Sequence, residues 1–168
     1  MAEINNAYVT EKLKSQFGPD IHSSDEHYGL PGFDINPARL ADVLQWLHAD
    51  NELRFRFLTD ICGSHYPHIK DKELCAVYHV QSMENNLRLR LRCFLPVSDP
   101  RLPSATSVYA SANWMERETY DFYGIIFEGH PNLRRILNVD EMDYFPMRKE
   151  FPLEDATRTD KEDKYFGR

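Results

Sequence analysis

Long hydrophobic runs are missing from this chain: no apolar stretch approaches the roughly 20 residues that cross a bilayer as a helix. The opening residues Met1-Ala2-Glu3-Ile4-Asn5-Asn6 lack the basic start and apolar core of a signal peptide. Membrane contact is therefore expected to be indirect, through a partner. Cysteine is scarce. Cys62, Cys75 and Cys93 are odd in number and widely spaced, which implies no disulfide framework and fits a reducing compartment. An excess of positive charge is also missing: 20 basic against 27 acidic residues leave a net charge of -7. Nucleic acid and anionic lipid both reward a basic surface, so neither is an expected partner. No Cys-x-x-Cys run, no Gly-x-Gly-x-x-Gly and no phosphate-binding loop occurs. The chain itself is expected to bind no flavin, cluster or nucleotide.

What is present suffices for one domain, or one domain with an appendage, in 168 residues. Val9, Leu13 and Phe17 recur at helical spacing and predict a helix over about 6–17, ended by Gly18 in a left-handed position. Gly29, Pro31 and Gly32 punctuate residues 20–35 into strand, turn and strand. Asn36-Pro37 reads as a helix cap followed by a first-turn proline. Leu40, Val43, Leu44 and Leu47 then form one apolar stripe to about Asp50.

Three strands are expected next. Leu53, Phe55 and Phe57 alternate with Arg54 and Arg56; Cys75, Val77 and His79 alternate with Ala76, Tyr78 and Val80. Leu87, Leu89, Leu91 and Cys93 alternate with Arg88, Arg90 and Arg92. Period-2 patterning of this kind predicts a sheet with one covered and one polar face. Asn85-Asn86 suits the tight loop between the last two strands. Ser104 is placed to cap a last helix reaching Tyr123, with Gly124 past its end. On that helix Val108, Ala112, Met115, Thr119 and Phe122 gather on one side. Trp114, Arg117, Glu118 and Asp121 gather roughly 120° away. The expected fold is α+β: a mixed β-sheet with helices packed on one face, plus an extended C-terminal arm. Residues 1–124 form the scaffold domain and residues 125–168 an arm and tail that dock on a partner.

The arm holds the densest mixture of charge, aromatic, glycine and proline in the sequence. Ile125, Ile126, Phe127, Ile136, Leu137 and Phe151 are too apolar for a solvated tail. Arg134, Arg135, Arg148 and Lys149 would be costly inside a core unless paired. Arg117 and Asp121 are spaced as an i,i+4 pair. The mixture suits an ordered arm laid across another protein. Other groupings read more simply. His65-x-x-His68 with Cys75 could clasp zinc, but no second motif completes the site, and a surface loop leading into a strand is the simpler reading. The arginines at 54, 56, 88, 90 and 92 form an open sheet face. Without paired aromatics, a solvated face with acidic neighbours outweighs RNA binding. His130, between Gly129 and Pro131, reads as a turn histidine bonded to backbone rather than a catalytic base.

Residues 116–137 carry Glu116-Arg117-Glu118, Asp121, Phe122-Tyr123, His130, Arg134 and Ile136-Leu137. This spacing resembles the signature of the 30-kDa (C-type) subunit of proton-pumping NADH:quinone oxidoreductase, respiratory complex I. Downstream, Phe145-Pro146-Met147-Arg148-Lys149-Glu150-Phe151-Pro152-Leu153 resembles the same family, with Met147 and Glu150 as mild departures. The resemblance implies a scaffold subunit without catalytic residues, cofactor or metal of its own. Its expected partners are the 49-kDa-like (D-type) subunit and the iron–sulfur subunits. FMN, iron–sulfur clusters, NADH and quinone then belong to the complex. The expected place is peripheral, on the cytoplasmic side of a bacterial inner membrane. The partner-facing positions are expected to be the signature residues, with Gly124, Pro131, Arg135, Pro146, Arg148, Lys149, Phe151 and Pro152. An equivalent scaffold subunit of a membrane-bound hydrogenase-type oxidoreductase is the nearer alternative. A free-standing zinc enzyme using His65 and His68 is the farther one.

Overall fold

The computed structural model describes residues 4–151. Helix α1 (Asn6–Phe17) is capped by Asn5, whose side-chain oxygen accepts from the Tyr8 amide at 3.0 Å. It buries Val9, Leu13 and Phe17, the stripe its spacing predicts. Gly18 is not left-handed; at φ -45° it opens a short 3-10 turn with Pro19 and Asp20. Strands β1 (Ile21–His27) and β2 (Leu30–Ile35) form a hairpin, with Tyr28 and Gly29 at positive φ in the turn. Asn36 caps a 3-10 turn over Pro37–Arg39, which feeds α2 (Leu40–Ala49). All four stripe residues of α2 are buried.

Strands β3 (Phe57–His65), β4 (Leu74–Ser82) and β5 (Leu87–Leu95) complete a sheet of order β1-β2-β5-β4-β3. The β2–β5 contact is parallel and the others are antiparallel, so the sheet is mixed as expected. β3 starts later than its alternation suggested. Leu53 and Phe55 are buried before the strand begins, Arg54 sits at φ +51°, and Phe57 is exposed. A left-handed residue cannot continue a strand, so Arg54 and Arg56 lie off the sheet. From Ala76 to Cys93, alternate side chains of β4 and β5 enter one core cluster with α1 and α2.

The opposite face is polar and internally paired. Arg92 bridges Asp34 at 2.6 Å and Asp25 at 2.8 Å. Arg90 donates to His79 Nε2 at 3.0 Å, and Arg88 to Gln81 at 3.1 Å. Burial, then the Arg90 charge, lowers the His79 pKa, which suits a neutral ring that accepts from Arg90. This is the face with acidic neighbours read from the five arginines, but only Arg88, Arg90 and Arg92 lie on it.

β6 (Arg101–Pro103) precedes α3 (Ala112–Tyr123), which is followed by β7 (Ile126–Glu128). α3 is shorter than expected. Ser104 does not cap it: residues 104–111 form turns, and the Ser104 hydroxyl donates to the Glu116 carboxylate at 2.6 Å. Tyr109 pins this segment by donating to the Phe55 carbonyl at 2.6 Å. β6 and β7 pair in parallel, and Ile125 and Phe127 join the core. Regular structure therefore runs to Glu128, past the boundary placed at Gly124.

Candidate functional site

The signature residues meet around the C-terminal half of α3. Glu116 faces inward and is fully buried; its carboxylate accepts from the Ala105 amide at 2.6 Å and from Ser104. Burial pushes its pKa up to about 7, against the two hydrogen bonds that favour the charged form. Glu118 projects to solvent one position beyond Arg117.

Asp121 is the centre of the arrangement. The sequence suggests Arg117 as its partner, but the carboxylate pairs with Arg135 at 2.7 Å. It also accepts from the backbone amides of Ile136 at 3.1 Å, Leu137 at 2.8 Å and Asn138 at 2.9 Å, and from the Asn138 side chain at 3.1 Å. Three consecutive amides aimed at one carboxylate make an anion nest. Desolvation would raise the pKa of this fully buried acid. The nest and Arg135 outweigh it and hold the group well below the usual carboxylate range.

Arg135 carries the clamp onward. Beyond the Asp121 carboxylate, its guanidinium donates to the carbonyls of Asp121 at 2.9 Å, Met142 at 2.7 Å and Tyr144 at 2.9 Å. It lies 5.2 Å from the centre of the Phe145 ring. Arg117 donates to the carbonyls of Arg134 at 3.1 Å and Arg135 at 3.0 Å, with Trp114 stacked at 5.1 Å. Arg148 donates to the Tyr123 carbonyl at 2.8 Å, so a cation caps the last turn of α3. It also stacks on Phe145 at 4.8 Å.

Gly124 is required where it stands. It is the left-handed residue past the helix end, at φ +75°, and it is covered by the arm. A Cβ there would meet Phe145 at 2.5 Å and Arg148 at 2.7 Å. His130 is a turn histidine: Nδ1 accepts from the Asn132 amide at 3.0 Å, leaving Nε2–H to donate to the Asn113 carbonyl at 3.0 Å. Pro131, Arg134 and Lys149 are exposed, whereas Pro146 and Phe151 are half-buried. Pro152 lies outside the described residues.

His65 was missed as part of this clamp. It ends β3 nearly buried, and its Nδ1 accepts from the Lys149 amide at 3.0 Å, tying the arm to the sheet. Only a contact 84 residues away reveals it, so local patterning offers no signal. His68 is exposed in the next turn, and Cys75 is buried in β4. Among the described residues, no three His, Cys, Asp or Glu side chains come together as a metal site.

Fold and clamp together define an α+β protein whose C-terminal arm is laced to its last helix by buried charges. Comparison with known proteins gives that class a family. The model of the respiratory-chain NADH dehydrogenase 30 Kd subunit matches residues 33–157, and the chain belongs to that family. The C-type subunit of NADH-quinone oxidoreductase from Streptomyces coelicolor is 47% identical over 121 residues, covering 72% of this chain and 48% of that protein. The second C-type subunit of NADH-quinone oxidoreductase from Rhizobium etli is 41% identical over 151 residues, covering 89% of this chain and 77% of that protein. The sequence spans about half the length of the first curated relatives it matches. The trypsin-resistant fragment (1-134) of Nqo5 is similar in structure, with TM-score 0.65 and 31% identity over 76% of this chain and 98% of that one. One polypeptide of the archaeal membrane-bound sulfane sulfur reductase shares the fold, with TM-score 0.73 and 20% identity over 88% of this chain and 85% of that one.

Proposed function

We propose that the protein is a structural subunit of the peripheral arm of a proton-translocating NADH:quinone oxidoreductase. It holds the subunits that carry the clusters and the quinone site in register. Its partners are the 49-kDa-like (D-type) subunit and the iron–sulfur subunits. FMN, iron–sulfur clusters, NADH and quinone serve the complex, and the chemistry lies on other polypeptides. Residues 1–124 together with β7 are the body, and the rest of residues 125–168 is the docking arm, peripheral on the cytoplasmic side of a bacterial inner membrane. The described part has no helix long and apolar enough to cross a membrane, which fits contact through partners.

One observation carries the reading. The signature charges fix the arm's shape from within, through Asp121, Arg135, Arg117 and Arg148. The arm and α3 meanwhile leave Trp114, Leu137, Val139, Tyr144 and Met147 exposed. An arm whose charges are paired internally and whose outer surface is apolar is suited to docking, because contacts that pre-order it reduce the entropy lost on binding. A second reading, an equivalent scaffold of a membrane-bound hydrogenase-type oxidoreductase, has the shared fold of the sulfane sulfur reductase polypeptide on its side. Affinity purification of the tagged protein from solubilised native membranes tests both. Co-purified 49-kDa-like and iron–sulfur subunits with the NADH-oxidising module are expected. Hydrogenase-type subunits would favour the second reading, and a protein recovered alone would overturn both.

A further inference from the structure

Arg117 is nearly buried, yet no carboxylate of the described residues lies within ion-pairing distance of it. Nε and one terminal nitrogen donate to two arm carbonyls, and Trp114 covers a face. The other terminal nitrogen, Nη1, has no hydrogen-bond partner among the described residues. Arg117 lines a groove of about 380 Å³ together with Arg134 and Arg135. Leu137 and Val139 stand on the arm beside this groove, 64% and 63% exposed, and Trp114 stands on α3, 60% exposed. A nearly buried guanidinium held only by carbonyls lacks a counter-charge among the described residues. Of the other two arginines of the clamp, Arg135 has the Asp121 carboxylate, and Arg148 donates to the Tyr123 carbonyl at the C-terminal end of α3, where the helix dipole favours a cation.

We propose that this groove seats a single Asp or Glu side chain of a neighbouring subunit, on a segment whose apolar residues cover Trp114, Leu137 and Val139. The inference rests on the docking reading above and names the chemistry of what docks. Asp140 and Glu141 also line the groove, so its charge is mixed. One carboxylate on a peptide suits it, whereas a polyanion does not. Arginine and tryptophan side by side are also the residues that dominate binding energy at protein interfaces.

Photo-crosslinking tests this with the tagged full-length protein in native membranes. Val139 is replaced by a benzophenone amino acid, and the crosslinked peptide is identified by mass spectrometry. The expected peptide comes from a neighbouring subunit and has an acidic residue within about one helical turn of the crosslink. Changing that acid to its amide, which leaves this chain untouched, is expected to lower co-purification at least ~tenfold. Arg117→Glu lowers it similarly, and joint replacement of the acid by arginine restores it. A peptide without an acid, a second copy of this chain, or no crosslink while the subunits still co-purify overturns the inference and leaves the docking reading standing. If no subunit co-purifies at all, the docking reading falls and the inference with it.

Discussion

Asp121→Asn is the sharpest perturbation of the clamp, because it keeps volume and removes only charge and one acceptor. In the native protein the carboxylate accepts three backbone amides, the Asn138 amide group and Arg135. An asparagine oxygen can serve the three amides, but its NH2 must then face Arg135 and the Asn138 side chain, donor against donor. Arg135 keeps its carbonyl partners and loses its counter-charge. Breaking one side of a buried pair costs roughly 3–5 kcal/mol. The damage falls first on the arm, since the sheet core closes without it. Local opening should then become about 100-fold or more easier, at roughly 1.4 kcal/mol per factor of ten. Amide exchange at Ile136, Leu137 and Asn138 reads that opening, with β4 and β5 as an internal reference. Exchange accelerated at all three, with the strands unchanged, is the expected result. Wild-type protection there, with a stability loss under about 1 kcal/mol, would refute the reasoning and make the pair an ordinary surface contact.

Four further outcomes follow. The Asp121 pKa is depressed in the folded protein, so its stabilisation is present above the unfolded value near 3.8 and is lost as pH falls through the folded one. Protection at residues 136–138 should hold at about pH 4 and fail only in stronger acid. Glu116 has the opposite sign: its folded pKa is raised from 4.5 to about 7, so its contribution weakens as pH rises between those values. Glu116→Gln should flatten the pH profile of denaturant unfolding there and gain on the wild type at about pH 8; coincident profiles would contradict this. Gly124→Ala should lower stability by at least about 1–2 kcal/mol, from left-handed strain plus displacement of Phe145 and Arg148, measured by denaturant unfolding. Arg117→Ala and Arg148→Ala should weaken complex assembly far more than Lys14→Ala, a change at an exposed position of α1; equal assembly of all three would remove the arm as anchor.

The elements legible in the sequence are those with clean local period. Val9, Leu13 and Phe17, the α2 stripe and the β5 alternation all face the core they predict. Position 54 misled because nothing in the Leu53–Phe57 alternation signals a positive φ. Ser104 misled because a serine before a helical pattern looks like a cap, while its actual partner is Glu116, 12 residues on. At the site, the signature marked the right residues, but the pairing was not local. Asp121 has Arg117 four positions before it and takes Arg135, 14 residues on, because the arm folds back over α3. Spacing along one helix cannot carry that information; only the fold-back of the chain does. His65 joined the clamp for the same reason.

The most direct test of the scaffold role removes the protein and looks at the assembly. Membranes from the native host lacking this gene, solubilised gently and separated by native electrophoresis, are stained in the gel for NADH-oxidising activity. If the protein is the scaffold, the large active band disappears and activity moves to a smaller subcomplex. The wild-type gene then restores the large band, while Asp121→Asn restores it poorly. A large NADH-active band unchanged in the strain without the gene would contradict the scaffold role.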